Sequence, residues 1–372
     1  MRVAAMLLIL AAHLPAYGAL PFLAATGMYT VFLGLTIFVF VSGYSLAVTN
    51  WHIESLRDVR RFLLRRIYRL FPLYIPAVVL FIVMFHILGA YHQMDMSPFW
   101  LNTASHVLGL QGLLSPQLTP MFTLWYVGVA QMYYIAFVVL ARYSRSFGTL
   151  CVLALLVLAT FAGIRLALGL VDNRFFMYFP AFFLGILAAR TELLRRPPGV
   201  PTVLVLTTVA VLTGVWLWEY RRQVYDASGS LYLSSGLGVE ALRLAFTLSS
   251  VGAIASLSRR VSDSLHRGLV GVITFASLAS YAVYLYHRLV LSLAAGVLAR
   301  IEALGETTRS TLITGVGVPV IFVLGYGLQA IQHRIGKSNI WRRGCPDASC
   351  RDDTSTPALW TRAAGTEGRP EL

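Results

Sequence analysis

The sequence predicts an all-α protein, a polytopic membrane helix bundle of about ten transmembrane helices with both termini cytoplasmic. Three observations lead there. The 372 residues are 57% apolar and only 12% charged, about half the ~25% charged share of a soluble domain. Apolar stretches near the length needed to cross ~30 Å of hydrocarbon recur along the chain. The 30 Lys and Arg, against 16 Asp and Glu, fall in short clusters between those stretches. That is the pattern of topology-setting loops, and a nucleic-acid partner is not expected.

The expected spans are 3–23, 29–50, 70–90, 121–141, 148–169, 175–189, 201–218, 231–257, 269–297 and 311–332. In the first, Pro15 and Pro21 predict a kink or an early end. Its opening cation, short apolar run and small residues also have the order of a cleavable leader, whose loss would remove His13. The third span follows six arginines between Arg57 and Arg69, and His86 lies near its outer end. After it, 91–120 holds no Lys or Arg but has His92, Asp95, Trp100, His106 and three prolines, so it is a lid over the outer mouth or a plain connector. Arg142 and Arg145 separate the fourth span from the fifth, and Arg165 lies within the fifth. Arg174 and Arg190 bracket the short sixth, and Arg195 and Arg196 precede the seventh. Glu240 and Arg243, spaced i and i+3 in the eighth, can pair with each other. After about Lys337 the chain turns polar, and 338–372 is rich in Asp, Thr, Pro and Gly, the composition of a disordered cytoplasmic tail behind a 1–337 membrane domain. Cys151, Cys345 and Cys350 show no metal-ligand spacing, so neither a metal site nor a disulfide framework is expected.

Orientation follows from the basic residues, because short Arg-rich loops stay cytoplasmic. With the N-terminus inside, the outer segments hold only Arg174, Arg221, Arg222, Arg300 and Arg309, and the large remainder of the loop cations is inside. This places the chain in the cytoplasmic (inner) membrane.

Ionisable groups within spans are costly and usually face a cavity or a partner. Arg2 and His13 lie eleven residues apart, about three turns, so they share a face of one helix about 16 Å apart along its axis. In "RFLLRRIYRLFPLY", Arg66 and Arg69 at i and i+3 project from one face, where planar guanidinium groups suit phosphate. In "SLASYAVYLYHRLVL", Ser280, Tyr284 and His287 at i, i+4 and i+7 make a polar stripe on an apolar helix, with Arg288 beside it. Each also has a plainer structural reading: a packed histidine, topology-setting arginines that meet anionic lipid, or a hydrogen-bonded stripe.

These stretches together resemble the acyltransferase-3 family of integral membrane acyltransferases. The matching elements, in order, are Arg2 and His13, "FVFVSGYSL" at 38–46, "RRIYRLFPLY" at 65–74, "LWYVGVAQMYY" at 124–134, "FPAFFLGILAAR" at 179–190 and "SYAVYLYH" at 280–287. Two features depart from the family pattern. Ala130 followed by Gln131 stands where the family commonly has a glutamate shortly after the tryptophan, and Arg2 lacks the several residues that usually precede its counterpart.

The resemblance implies an acyl-CoA donor, acetyl-CoA above all, on the cytoplasmic side. It also implies an acceptor hydroxyl on a carbohydrate or lipid-linked glycan of a surface or exported polysaccharide, within membrane lipid. His13 and His287 are then the catalytic candidates, since an attacking hydroxyl needs a base titrating near neutrality. Arg2, Arg66 and Arg69 would hold the donor, and Ser280, Tyr284, Trp125 and Gln131 would contact the acceptor. No permanently bound cofactor is expected. A transporter or flippase for a glycan is the alternative; it would be expected to bury carboxylates near the midplane, where only Glu240 is available.

Overall fold

The structure, a computed structural model, describes residues 1–24, 26–84, 98–115, 118, 121–191, 199–228, 237–264 and 267–337; His86, His92, Asp95 and the 338–372 tail lie outside the described residues. All regular structure among them is helical. Helix α1 (Arg2–His13) stops just before Pro15, where the chain tightens into a 3₁₀ turn, Leu14–Tyr17. The proline-induced early end leaves His13 as the last residue of α1, inside the bundle. A second 3₁₀ turn, Pro21–Leu23, leads to α2 (Gly27–Asn50).

Helix α3 (Leu56–Ile82) begins well before the expected span, because Ser55 and Asp58 form a reciprocal capping box at its start. The arginines from Arg57 to Arg69 are therefore helical, not loop residues. Pro72 and Pro76 lie inside α3. Pro72 cannot donate to the carbonyl of Tyr68; Gln332 Nε2 lies 3.5 Å from that oxygen and donates to the carbonyl of Arg69 at 2.7 Å. Tyr281 and Tyr286 donate to the carbonyls of Leu70 and Leu73, which ties the proline-containing stretch of α3 to a neighbouring helix.

The chain continues through α4 (Phe99–Val107), α5 (Gln111–Leu114), α6 (Trp125–Tyr143), α7 (Phe147–Leu168), α8 (Asn173–Arg190), α9 (Val200–Ser228), α10 (Leu237–Ser264) and α11 (Arg267–Ala299). The last expected span is α12 (Glu306–Leu312), a π turn at Ile313–Gly317 and α13 (Val318–Lys337). Among the described residues seven segments are long and apolar enough to cross a membrane: Tyr29–Asn50, Phe122–Tyr143, Phe147–Leu168, Val200–Leu217, Ala241–Arg260, Gly268–Ala299 and Glu306–Arg334. The other three expected spans fall on helices that do not meet that measure. These are α1, which is 12 residues long; α3, interrupted by arginines; and α8, with Asn173, Arg174 and Arg190 at its ends.

Close approach of backbones organises the centre. Helix α2 makes its broadest contact with α8. A Cβ on Gly43 would lie 2.2 Å from the carbonyl oxygen of Phe182, and one on Gly185 2.2 Å from that of Phe40. Aromatic rings fill the surrounding core: Tyr133 stacks on Phe182 at 4.7 Å, and its hydroxyl donates to the carbonyl of Phe175. In the apolar 18-residue stretches of Phe147–Leu168 and Val200–Leu217 only 17% and 6% of the residues are buried by protein, as suits helices facing hydrocarbon.

The 91–120 region is neither a free lid nor a bare connector where it is described. Asn102, Ser105, His106 and Gln111 are buried. His106 Nδ1 lies 2.9 Å from the carbonyl of Asn102, while its Nε2 accepts the Met121 N–H at 2.8 Å, which fixes one neutral tautomer. The Tyr74 hydroxyl donates to the carbonyl of His106 and accepts from Gln111 Nε2. With α5 packed so closely on α6 that Gly112 and Gly128 admit no side chain, this polar cluster plugs one end of the bundle.

Candidate active site

The end of α1 and the interior of α11 bring two histidines together. The rings of His13 and His287 stack with centroids 5.2 Å apart and planes 27° from parallel. They come from positions 274 residues apart in sequence, so this pair is a tertiary product. His287 is fully buried. Its Nδ1 lies 2.8 Å from the carbonyl of Tyr284 and 3.2 Å from that of Val283, acceptors that require the proton on Nδ1. The lone pair is thereby left on Nε2, which is buried and has no hydrogen-bond partner among the described residues. A nitrogen base of fixed tautomer thus points into the site beside a second imidazole.

Arg288 completes the neighbourhood. Its Nε donates to the Tyr17 hydroxyl at 3.2 Å, its guanidinium lies 4.3 Å above the ring of Phe122, and its charge acts on both histidines. The contact with Tyr17 and Phe122 shows that Arg288 is turned inward. Tyr284 lies 6.1 Å from His287, ring to ring, and donates to the carbonyl of Thr123 at 2.6 Å. Its hydroxyl anchors α11 to the turn before α6. Ser280 is buried but donates to the carbonyl of Ser277 in its own helix. Of the expected stripe, Tyr284 and His287 line the site, and Ser280 is turned onto its own backbone.

At the other end of α1, Arg2 donates to the Ser45 hydroxyl on α2 at 3.1 Å. Arg69 and Arg66 both lie within electrostatic reach of it, as do Tyr126 and Tyr134. The structure therefore gathers the three expected donor-binding arginines. Arg66 is buried, with its guanidinium 5.2 Å from the Phe62 ring, while Arg69 is exposed. Gathering like charges in a bundle is costly unless anions complete the site.

Trp125 and Gln131 are placed elsewhere. Trp125 lies beneath the guanidinium of Arg174 at 4.1 Å, and Arg174 is paired with Asp172. A chain of rings, Trp125 to Tyr126 to Tyr284, joins it to the histidines. The Gln131 amide packs over Gly109, whose positive φ belongs to the turn after α4. Its Nε2 is buried without a partner among the described residues. The Glu240 side chain lies outside the described residues, so the expected pair with Arg243 does too. Sequence reasoning missed Ser45 as the partner of Arg2, although it stands within the quoted 38–46 stretch. It also missed Tyr17 as the partner of Arg288.

A largely membrane-embedded all-α bundle with a stacked histidine pair and an arginine cluster defines this protein's class. Residues 1–328 match the model of the acyltransferase-3 family, described as an acyltransferase domain, and the chain belongs to that family. No curated protein and no solved structure matches it.

Proposed function

We propose that this protein is a membrane-bound O-acyltransferase that moves an acyl group, acetyl in the simplest case, from cytoplasmic acyl-CoA to a hydroxyl of a surface or exported polysaccharide. The observation that carries the reading is the stacked His13–His287 pair, with the buried, unpartnered Nε2 of His287. Family membership supports acyl transfer in general; the donor and the carbohydrate acceptor are inferred from the chemistry of the residues and from the family resemblance.

The chain crosses the inner membrane about ten times, α1, α3 and α8 included, with both termini and the Arg2 end cytoplasmic. Since α1 rises about 16 Å from Arg2 to His13, the histidines lie near half depth in a ~30 Å layer. A donor entering from inside and an acceptor arriving from outside can meet there. As the hydroxyl oxygen bonds to the thioester carbonyl carbon, its proton passes to imidazole, and the carbon–sulfur bond breaks to release the thiolate, which takes the proton. Arg2, Arg66 and Arg69 hold donor phosphate, and Arg288 faces the oxygen on which negative charge develops.

Radiolabel transfer from acetyl-CoA into the polysaccharide fraction of membranes tests the reading. The native protein should transfer label and His13→Ala should not, at equal expression; equal label in both removes His13 from the chemistry. A transporter would move acceptor without acyl-CoA, and no label would enter glycan. Rapid quench separates two routes: acyl-histidine on His13 marks a relay, and its absence during full turnover marks direct transfer.

A further inference from the structure

A second basic site lies at the Arg2 end, outside the histidine–arginine track. A cavity of about 510 Å³ opens where the end of α2, the first turns of α3, the end of α8 and the last turns of α10 meet. Its size falls in the range of small-molecule pockets. Arg61 and Arg65 enter it from α3, Arg190 from α8 and Arg259 from α10, with Trp51 and His52 also in the wall. Among the described lining residues Asp58 is the one carboxylate, and it lies 3.6 Å from Arg61 and accepts from Ser55. Four guanidinium groups against one engaged carboxylate make the cavity an anion site.

Two geometric features narrow the anion. The Arg190 guanidinium lies over the Trp51 ring at 4.5 Å, which covers its face and leaves its N–H edges for a bidentate acceptor such as phosphate. Arg61, Arg65 and Arg69 recur every four residues along one face of α3. That row leads from the cavity to the cluster around Arg2, with one helical turn, about 6 Å, from Arg65 to Arg69. From Arg2 another ~16 Å leads to His13. A ligand that reaches from the cavity to the histidines is therefore long, with phosphate at two separated places and a neutral arm beyond.

We propose that this cavity is the subsite for the phosphomonoester on the ribose of a coenzyme A thioester, with the pyrophosphate at Arg2, Arg66 and Arg69. The proposal rests on the acyl-CoA reading above. It divides the donor's charges between two sites, and it makes the cavity the reason the donor is a nucleotide and not a bare pantetheine. An anionic phospholipid headgroup presents the same phosphate chemistry at this surface, and the test separates the two.

The experiment measures binding of CoA and 3′-dephospho-CoA by calorimetry to the full chain in phosphatidylcholine nanodiscs, with and without phosphatidylglycerol. The native protein should prefer CoA by about tenfold to a hundredfold, the value of one or two charged hydrogen bonds. In Arg190→Gln and Arg259→Gln, checked for native melting, the two affinities should converge. Equal affinities in the native protein would overturn the subsite while leaving the donor reading in place. Binding of neither ligand would remove the donor reading and the subsite with it. A preference abolished by phosphatidylglycerol, together with lost retention of that lipid in both variants, would assign the cavity to lipid and overturn the proposal.

Discussion

The two ring nitrogens of His287 have different tasks. Nδ1 is held by helix carbonyls, and Nε2 is buried without a hydrogen-bond partner among the described residues. A glutamine at this position can keep the donor role of Nδ1 but supplies no base, so His287→Gln should lower label transfer by about 10²–10⁴-fold with melting nearly unchanged. His106 offers a second residue-scale prediction. Burial without a charged partner pushes its imidazole down to about 4, outside the apolar spans. Its unfolded value is about 6.5, so the unfolded chain binds more protons between those limits, and stability falls as pH drops through that window, by about 3 kcal/mol in all. Melting in detergent from pH 7.5 to 4.5 should show the loss, and His106→Gln should flatten it. His13 and His287 could be read from sequence because imidazoles are conspicuous in apolar spans. The orientation of Ser280 could not, since a serine in a helix has its own backbone as a competing acceptor.

Helices α2 and α8 meet through glycine, which fixes how closely their axes approach. Gly185→Ala would drive a methyl against the carbonyl of Phe40 and the N–H of Tyr44, and should destabilise by about 1–3 kcal/mol as the helices part. Gly163→Ala on α7, where nothing lies within 4 Å, is the control and should leave the melting temperature in place. At this scale the apolar spans were legible by length, and so was the early end of α1 at its proline. The start of α3 was not, because its arginines break the hydropathy signal. The Ser55–Asp58 capping box was present in the sequence, but it weighs little beside six cations. Which helices are neighbours was hidden altogether, since the hydrophobic pattern of one helix shows that it has a buried face without naming the partner. The cavity residues come from four elements for that reason.

The whole molecule sorts its loops onto two faces. Arg142 donates to the carbonyl of Glu54, and Arg190 reaches Trp51; far from them, the N–H of Leu20 donates to Ser310. With the native cysteines replaced by serine, Glu54→Cys should react with an impermeant maleimide only from the cytoplasmic side, and Glu302→Cys only from outside. The reverse result would invert the orientation. A chain ended after Lys337 should retain label transfer, because every residue assigned to the chemistry lies within the bundle. The arginine cluster has one more consequence at this scale. Among the described residues, the charged groups acting on Arg2 are Arg69, Arg66 and the Met1 ammonium, so this end of α1 carries positive potential. Such a field repels hydronium and sodium, as a fixed arginine does in a water-selective pore. In the proposed orientation, a donor track from the cytoplasm would leave the membrane tight to cations. Vesicles that contain it should hold an imposed pH gradient as long as empty ones do.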